Sequence, residues 1–113
     1  MSAPVPRVAL APGYTIPRLV KGGWQLAGGH GAVDRDAALA DMRTFVAAVL
    51  TGFASAEIYT GVEALIGDFV RARGSAEGLQ IHTKYVPDLA ALGTLTAADV
   101  AAAVARSRTR LGV

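Results

Sequence analysis

Three times along this chain a short apolar stretch gives way to a longer segment with helical spacing. That alternation constrains the fold more than any other feature. A strand sets its side chains at period two, whereas a helix repeats them at three and four. From Asp34 to Leu50, the residues Leu39, Met42, Phe45, Val46, Val49 and Leu50 recur at helical intervals. Asp34 and Asp36 stand at the start, where carboxylates suit the helix dipole, and Gly52 follows as a stop. Phe53 to Ile58 is too short for a helix and reads as a strand. Thr60 and Glu63 then have the spacing of a capping box, and Leu65, Ile66, Phe69 and Val70 supply a buried face closed by Gly74. Leu79 to Thr83 is the next strand. Thr96 and Asp99 form a second capping box, and the helix behind them is expected to bury Val100, Val104 and Leu111 before Gly112 stops it.

Ahead of this series, Arg7 to Val20 holds two extended runs around Ala11-Pro12-Gly13, a hairpin signal in which Pro17 marks an edge or a strand start. Leu19 to Gly29 is an apolar run that ends in a glycine-rich loop. The order is hairpin, then three βα units at about residues 20–52, 53–74 and 79–112. Strands alternating with helices make an α/β fold with parallel strands and crossover helices, so Phe53–Ile58 and Leu79–Thr83 should lie side by side. The 113 residues suit one domain. Three parallel strands leave two open edges, and a fourth strand is the expected continuation after the third helix.

Composition excludes several classes. The chain is 52% hydrophobic, but its apolar residues fall in short runs, none near the roughly 18 that a membrane span needs. The opening MSAPVPRVAL lacks the charged and apolar regions of a signal peptide, which fits a cytoplasmic location. The chain contains no cysteine, hence no disulfide framework and no thiolate nucleophile or metal ligand. The net charge of +2 is mild, and the arginines lie without an aromatic platform beside them. Arg106, Arg108 and Arg110 read as solvated helix surface, and no nucleic-acid partner is expected.

Two ionisable residues stand at equivalent places: Tyr59 closes the second strand and Lys84 the third. In parallel β/α folds the carboxyl ends of the strands carry the chemistry, because the βα loops converge there. Neighbouring strands run ~4.8 Å apart, so the two side chains can meet. A cation beside a phenol favours the phenolate, which makes the tyrosine a better proton donor or acceptor. Taken singly, Tyr59 also suits an amphipathic strand end, and Lys84 a solvated loop charge.

The order Gly22-Gly23-Trp24, AEIYTGVEALIGDF, HTKYVPD and ARSRTRLG resembles the N-terminal part of the aldo-keto reductases over nearly the whole chain. The resemblance implies a partial TIM barrel, with the hairpin plugging its bottom, and hydride transfer between NADPH and a small carbonyl compound. It makes Tyr59 the catalytic proton donor and Lys84 its assistant. It places Gly23 and Trp24 at the cofactor, with Trp24 also lining the substrate pocket. One departure stands out. The family pattern Phe-Asp-x-Ala-x-x-Tyr appears here as Phe53-Ala54-Ser55-Ala56-Glu57-Ile58-Tyr59, so the carboxylate that orients the lysine is a methyl group. Glu57 points to the other face of a strand and does not replace it. The family's catalytic histidine comes from a fourth strand, and its phosphate contacts come from the last units. His30 in the glycine loop reads as solvated, and His82 as a packed or helix-facing residue. GGWQLAGGHG matches neither phosphate-loop pattern. The chain alone is therefore expected to be inactive and to bind NADPH weakly or not at all. Its open edges predict self-association, and the alternative reading is a non-catalytic interaction or assembly module.

Overall fold

The computed structural model describes residues 3–29 and 31–113; His30 lies outside the described residues. Strands β1 (Arg7–Ala11) and β2 (Tyr14–Pro17) form the expected antiparallel hairpin. Three very short strands follow, β3 (Lys21–Gly22), β4 (Gly52–Ala54) and β5 (Gln80–His82), with helices α1 (Arg35–Ala47), α2 (Val62–Arg73) and α3 (Ala97–Leu111) after each in turn. They make one parallel sheet in the order β3-β4-β5, with Lys21 beside Phe53 and Phe53 beside Ile81. The sheet is open and does not close into a barrel. The hairpin is fastened at the strands' amino ends. Gln80 donates to the Thr15 carbonyl at 2.7 Å and accepts from Arg7, while Pro17 packs beside Gly52. The carboxyl ends are left clear on the opposite side.

The strands are shorter than the sequence pattern predicts, because Phe53–Ile58 is regular only to Ala54 and Leu79–Thr83 only over Gln80–His82. Pairing nevertheless continues beyond the regular strands. Ser55 N–H donates to the His82 carbonyl at 2.7 Å, and Glu57 N–H to that of Lys84 at 3.0 Å. The backbone then turns, with Tyr59 N–H donating to the Ala56 carbonyl.

The core lies between the sheet and the helices. Ala38 and Met42 of α1, Phe53 of β4, Val62, Leu65, Ile66 and Phe69 of α2, and Leu111 of α3 form one buried cluster. The Phe53 and Phe69 rings meet at 6.1 Å with a tilt of 52°, within the range of favourable aromatic pairs. α2 is the hub, since it packs on α1 and on α3. A Cβ at Gly67 would overlap the carbonyl oxygen of Arg110. This close approach selects small residues on the facing side of α3, where Ala103 and Ser107 are buried. It also overturns one expectation. Val100 and Val104 are exposed, because the seam with α2 runs through 103, 107 and 111 at four-residue spacing, turned away from the valines.

One helix end corrects a further reading. α1 is capped by Asp34, which accepts from Ala37 N–H at 3.0 Å, but Gly52 does not stop it. The helix ends at Ala47, and Val49 takes the left-handed conformation at φ 65° while Gly52 enters β4. A β-branched side chain disfavours that conformation, so Val49→Asn should raise stability by about 1 kcal/mol, measured as a higher denaturation midpoint at unchanged slope.

At α3 the predicted capping box is present. The Thr96 hydroxyl accepts from Asp99 N–H at 3.2 Å, and the Asp99 carboxylate accepts from Thr96 N–H at 2.9 Å. The bond from the Thr96 backbone, with that from its hydroxyl, holds the Asp99 carboxyl below its ordinary value of 3.8. A depressed folded value means a contribution present above the unfolded value and lost as pH falls through the folded one. The stability gap between the native chain and Asp99→Asn should therefore be open at neutral pH and close in acid below 3.8; a gap independent of pH would contradict it.

Candidate functional site

The carboxyl ends of β4 and β5 bring the two predicted residues together. Lys84 Nζ lies 5.2 Å from the centroid of the Tyr59 ring, over its face. Tyr59 sits in the turn that follows β4, not at the strand end, and is half-buried against the core cluster. The same ammonium donates to the Ser55 carbonyl at 2.6 Å. The lysine is thus anchored by a backbone oxygen one residue beyond Ala54, where the family pattern would provide a carboxylate. The contact with the phenol is through the ring face, a geometry in which the ring quadrupole attracts the cation.

Side-chain alternation orders the rest of the sheet. Phe53 and Ile81 are register partners, and both pack toward the helices. Ala54 and His82, also partners, therefore face the other way, toward the open side. Of the two readings offered for His82, packed or helix-facing, the register excludes the second. It is half-buried, and its Nε2 is buried without a hydrogen-bond partner among the described residues. Gly22 and Ala54, the small residues in register beside it, leave that side of the sheet shallow.

Trp24 opens a short 3-10 helix, Trp24–Ala27, one residue after β3, and the residue is 55% exposed. Gly23 is buried. A Cβ there would come within 2.8 Å of Val62 Cγ1 and 2.9 Å of the Ala54 carbonyl oxygen. Its missing side chain is thus used by the protein's own packing, which the sequence reading missed. The signal was available only in the three-dimensional approach of α2 to the end of β3.

The predicted capping box at α2 does not form. The helix starts after Gly61, in the left-handed conformation at φ 78°, with no side-chain cap. Glu63 instead turns inward and is 2% exposed. Its carboxylate accepts from the Thr83 hydroxyl at 2.8 Å and pairs with Arg110 at 3.2 Å. Glu57 pairs with Arg106 at 3.7 Å, away from Lys84. Among the described residues, no three His, Asp or Glu side chains gather as a metal ion would need. No helix there is long and apolar enough to cross a membrane.

A parallel β/α sheet sealed at its amino ends by a hairpin, with a tyrosine and a lysine meeting at its carboxyl ends, defines a chain built on the (β/α)-barrel plan. Comparison with known proteins agrees. Residues 18–113 match the model of the Aldo/keto reductase family, and the chain belongs to that family. Two solved structures, both assigned to the aldo-keto reductases and both from Pseudomonas aeruginosa, share the fold. One matches at 20% identity and TM-score 0.73, covering 95% of this chain and 43% of its own. The other matches at 22% identity and TM-score 0.75, covering 95% and 42%. The chain thus spans less than half the length of these structures. No curated protein sequence matches it.

Gly23→Ala tests the packing role assigned to that glycine. The added methyl must displace Val62 or the Ala54 carbonyl, so it should lower stability by about 1–3 kcal/mol, read from denaturant unfolding without any ligand. An unchanged midpoint would show that the backbone there has room to spare.

Proposed function

We propose that residues 1–113 form the N-terminal portion of an NAD(P)H-dependent carbonyl reductase and supply its proton-transfer groups. The observation that carries this reading is the Lys84 ammonium over the Tyr59 ring at the carboxyl ends of the sheet. In the reaction a hydride adds to the carbonyl carbon, the C=O π pair moves to oxygen, and that oxygen takes a proton to give the alcohol. On this reading Tyr59 gives the proton from its hydroxyl. Lys84, with its ammonium over the ring face, is the positive charge that stands beside that group.

The nicotinamide cofactor supplies the hydride when bound. The residues present fit only one side of it. Trp24 offers an exposed aromatic wall, whereas the place of the Gly23 side chain is already taken by Val62 and Ala54. The described βα loops contain no phosphate-loop pattern. We therefore assign Trp24 to the cofactor and substrate wall, and Gly23 to packing beneath it. Grip on the cofactor phosphates is assigned to barrel units like those by which the solved structures exceed this chain.

A second reading is favoured by the sheet order. β3 and β5 each have one neighbour and one open edge, and open edges template pairing with other strands. On that reading the chain acts as an assembly module and the Tyr59–Lys84 contact is a remnant.

Titration with NADPH, followed by the fluorescence of Trp24, the only tryptophan, together with carbonyl-reduction assays, tests the first reading. The isolated chain should bind weakly or not at all and show no reduction above background. Ala54→Asp should not rescue it, because the hydride donor is not positioned. In a chain extended through the remaining barrel units, Tyr59→Phe should lower the rate roughly 10²–10⁴-fold, the usual range for a general acid. Stoichiometric NADPH binding with turnover by a monomer of the 113 residues would overturn the account, and an extended chain indifferent to Tyr59→Phe would favour the assembly module.

A further inference from the structure

The turn that carries Tyr59 is tied by backbone bonds, from Glu57 N–H to the Lys84 carbonyl, from Tyr59 N–H to the Ala56 carbonyl and from Val62 N–H to the Tyr59 carbonyl, each at 3.0 Å. No side chain, however, caps the helix that follows it, and its flanking residues Ile58, Thr60 and Gly61 are exposed. Two arginines of α3 reach it from outside. Arg106 and Arg110 lie four residues apart, hence on one face of the helix. Arg106 pairs with Glu57, two residues before Tyr59, and Arg110 pairs with Glu63, four residues after it. Arg108, between them, turns elsewhere and donates to the Val113 carbonyl. Glu63 also accepts from Thr83, the residue before Lys84. The cleft between this turn and α3 is lined by Glu57, Tyr59, Glu63 and Arg110, among others. One helix face therefore holds both sides of the tyrosine turn and, through Glu63 and Thr83, the end of β5.

We propose that Arg106 and Arg110 are positioning residues that clamp the Tyr59 turn through Glu57 and Glu63 and so set the Tyr59 ring against Lys84. Neither arginine acts on a reacting group. Their effect passes through two carboxylates, of which Glu63 is buried and Glu57 largely so, with side-chain exposures of 2% and 15%. The arginines themselves stay about half exposed, at 41% and 47%, with room to reorient. The significance of the clamp for proton transfer rests on the function proposed above. A displacement of about 1 Å at such a site can cost roughly 100-fold in rate.

The test reads the geometry directly and needs no turnover. The chain has two lysines, and each lies over an aromatic ring: Lys84 over Tyr59 at 5.2 Å and Lys21 over Phe45 at 5.8 Å. Ring currents shift protons above an aromatic face upfield, so the side-chain methylene signals of selectively labelled lysine report each contact separately. Tyr59→Leu assigns the Lys84 signal. Two variants of the full chain then probe the clamp. One is Arg106→Met. The other is Arg110→Met combined with Glu63→Gln, which leaves no buried carboxylate unpaired and keeps an acceptor for Thr83. In both, the Lys84 signal should move toward the position of an unstructured lysine while Lys21 stays in place, and Arg106→Lys should return part of the displacement. A Lys84 signal that stays put in both variants, or two lysine signals that move together, would overturn the proposal. Because NADPH and substrate take no part, failure of the reductase reading would leave this result unaffected, and the reverse holds as well.

Discussion

The buried Glu63 carboxylate ties three elements of this molecule together. Burying a carboxylate costs several kcal/mol unless its oxygens are hydrogen-bonded and its charge is matched. Here one oxygen takes the Thr83 hydroxyl and the other takes Arg110. Those two partners belong to β5's carboxyl-terminal extension and to α3, while Glu63 belongs to α2. Since the charge is buried with both partners in place, the three elements are fixed relative to one another, and a shift of any of them would strand it. A polar network of this kind adds little to net stability but penalises every alternative packing.

The apolar packing around that network is shaped by small residues. Gly67 lets α3 come so near to α2 that no side chain fits between them. That approach carries Arg110 to Glu63 and Arg106 to Glu57. Gly23 plays a parallel part at the other side of α2, where Val62 and the Ala54 carbonyl press against it. α2 is thus held on both flanks by glycines whose missing side chains are contacts. Its N-terminal turn, which follows directly on Tyr59, is located by those contacts in place of a cap of its own.

The rim shows how a changed residue is accommodated. With Ala54 in place of an acid, the Lys84 ammonium turns to the Ser55 carbonyl, a neutral acceptor, and rests over the phenol ring. Hydrogen bonds to charged groups are stronger than neutral ones, so the carbonyl keeps the ammonium at the rim. It does not supply the compensating charge that a carboxylate would. The open face of the sheet remains lined by Gly22, Ala54 and His82.

Much of this was legible in the residues. The hairpin, the alternation of strands and helices, the Thr96–Asp99 cap and the juxtaposition of Tyr59 with Lys84 all follow from local periodicity and from the rule that parallel strands align their carboxyl ends. Such signals are short-range, and the backbone obeys them wherever nothing stronger competes. The sequence reading failed where a distant contact did compete. Thr60 and Glu63 have capping-box spacing, but Glu63 finds Arg110 and Thr83, 47 and 20 residues away, and leaves the cap unmade. Val100 and Val104 have the right hydrophobicity for a core face, but the close approach at Gly67 turns Ala103 and Ser107 inward. Val49 takes the left-handed conformation usually left to glycine. The sequence by itself thus determined which elements form, in what order, and which two residues reach the rim. Only the tertiary structure decided which helix faces meet and where the buried charge lies, because those depend on distances between segments that local pattern does not encode.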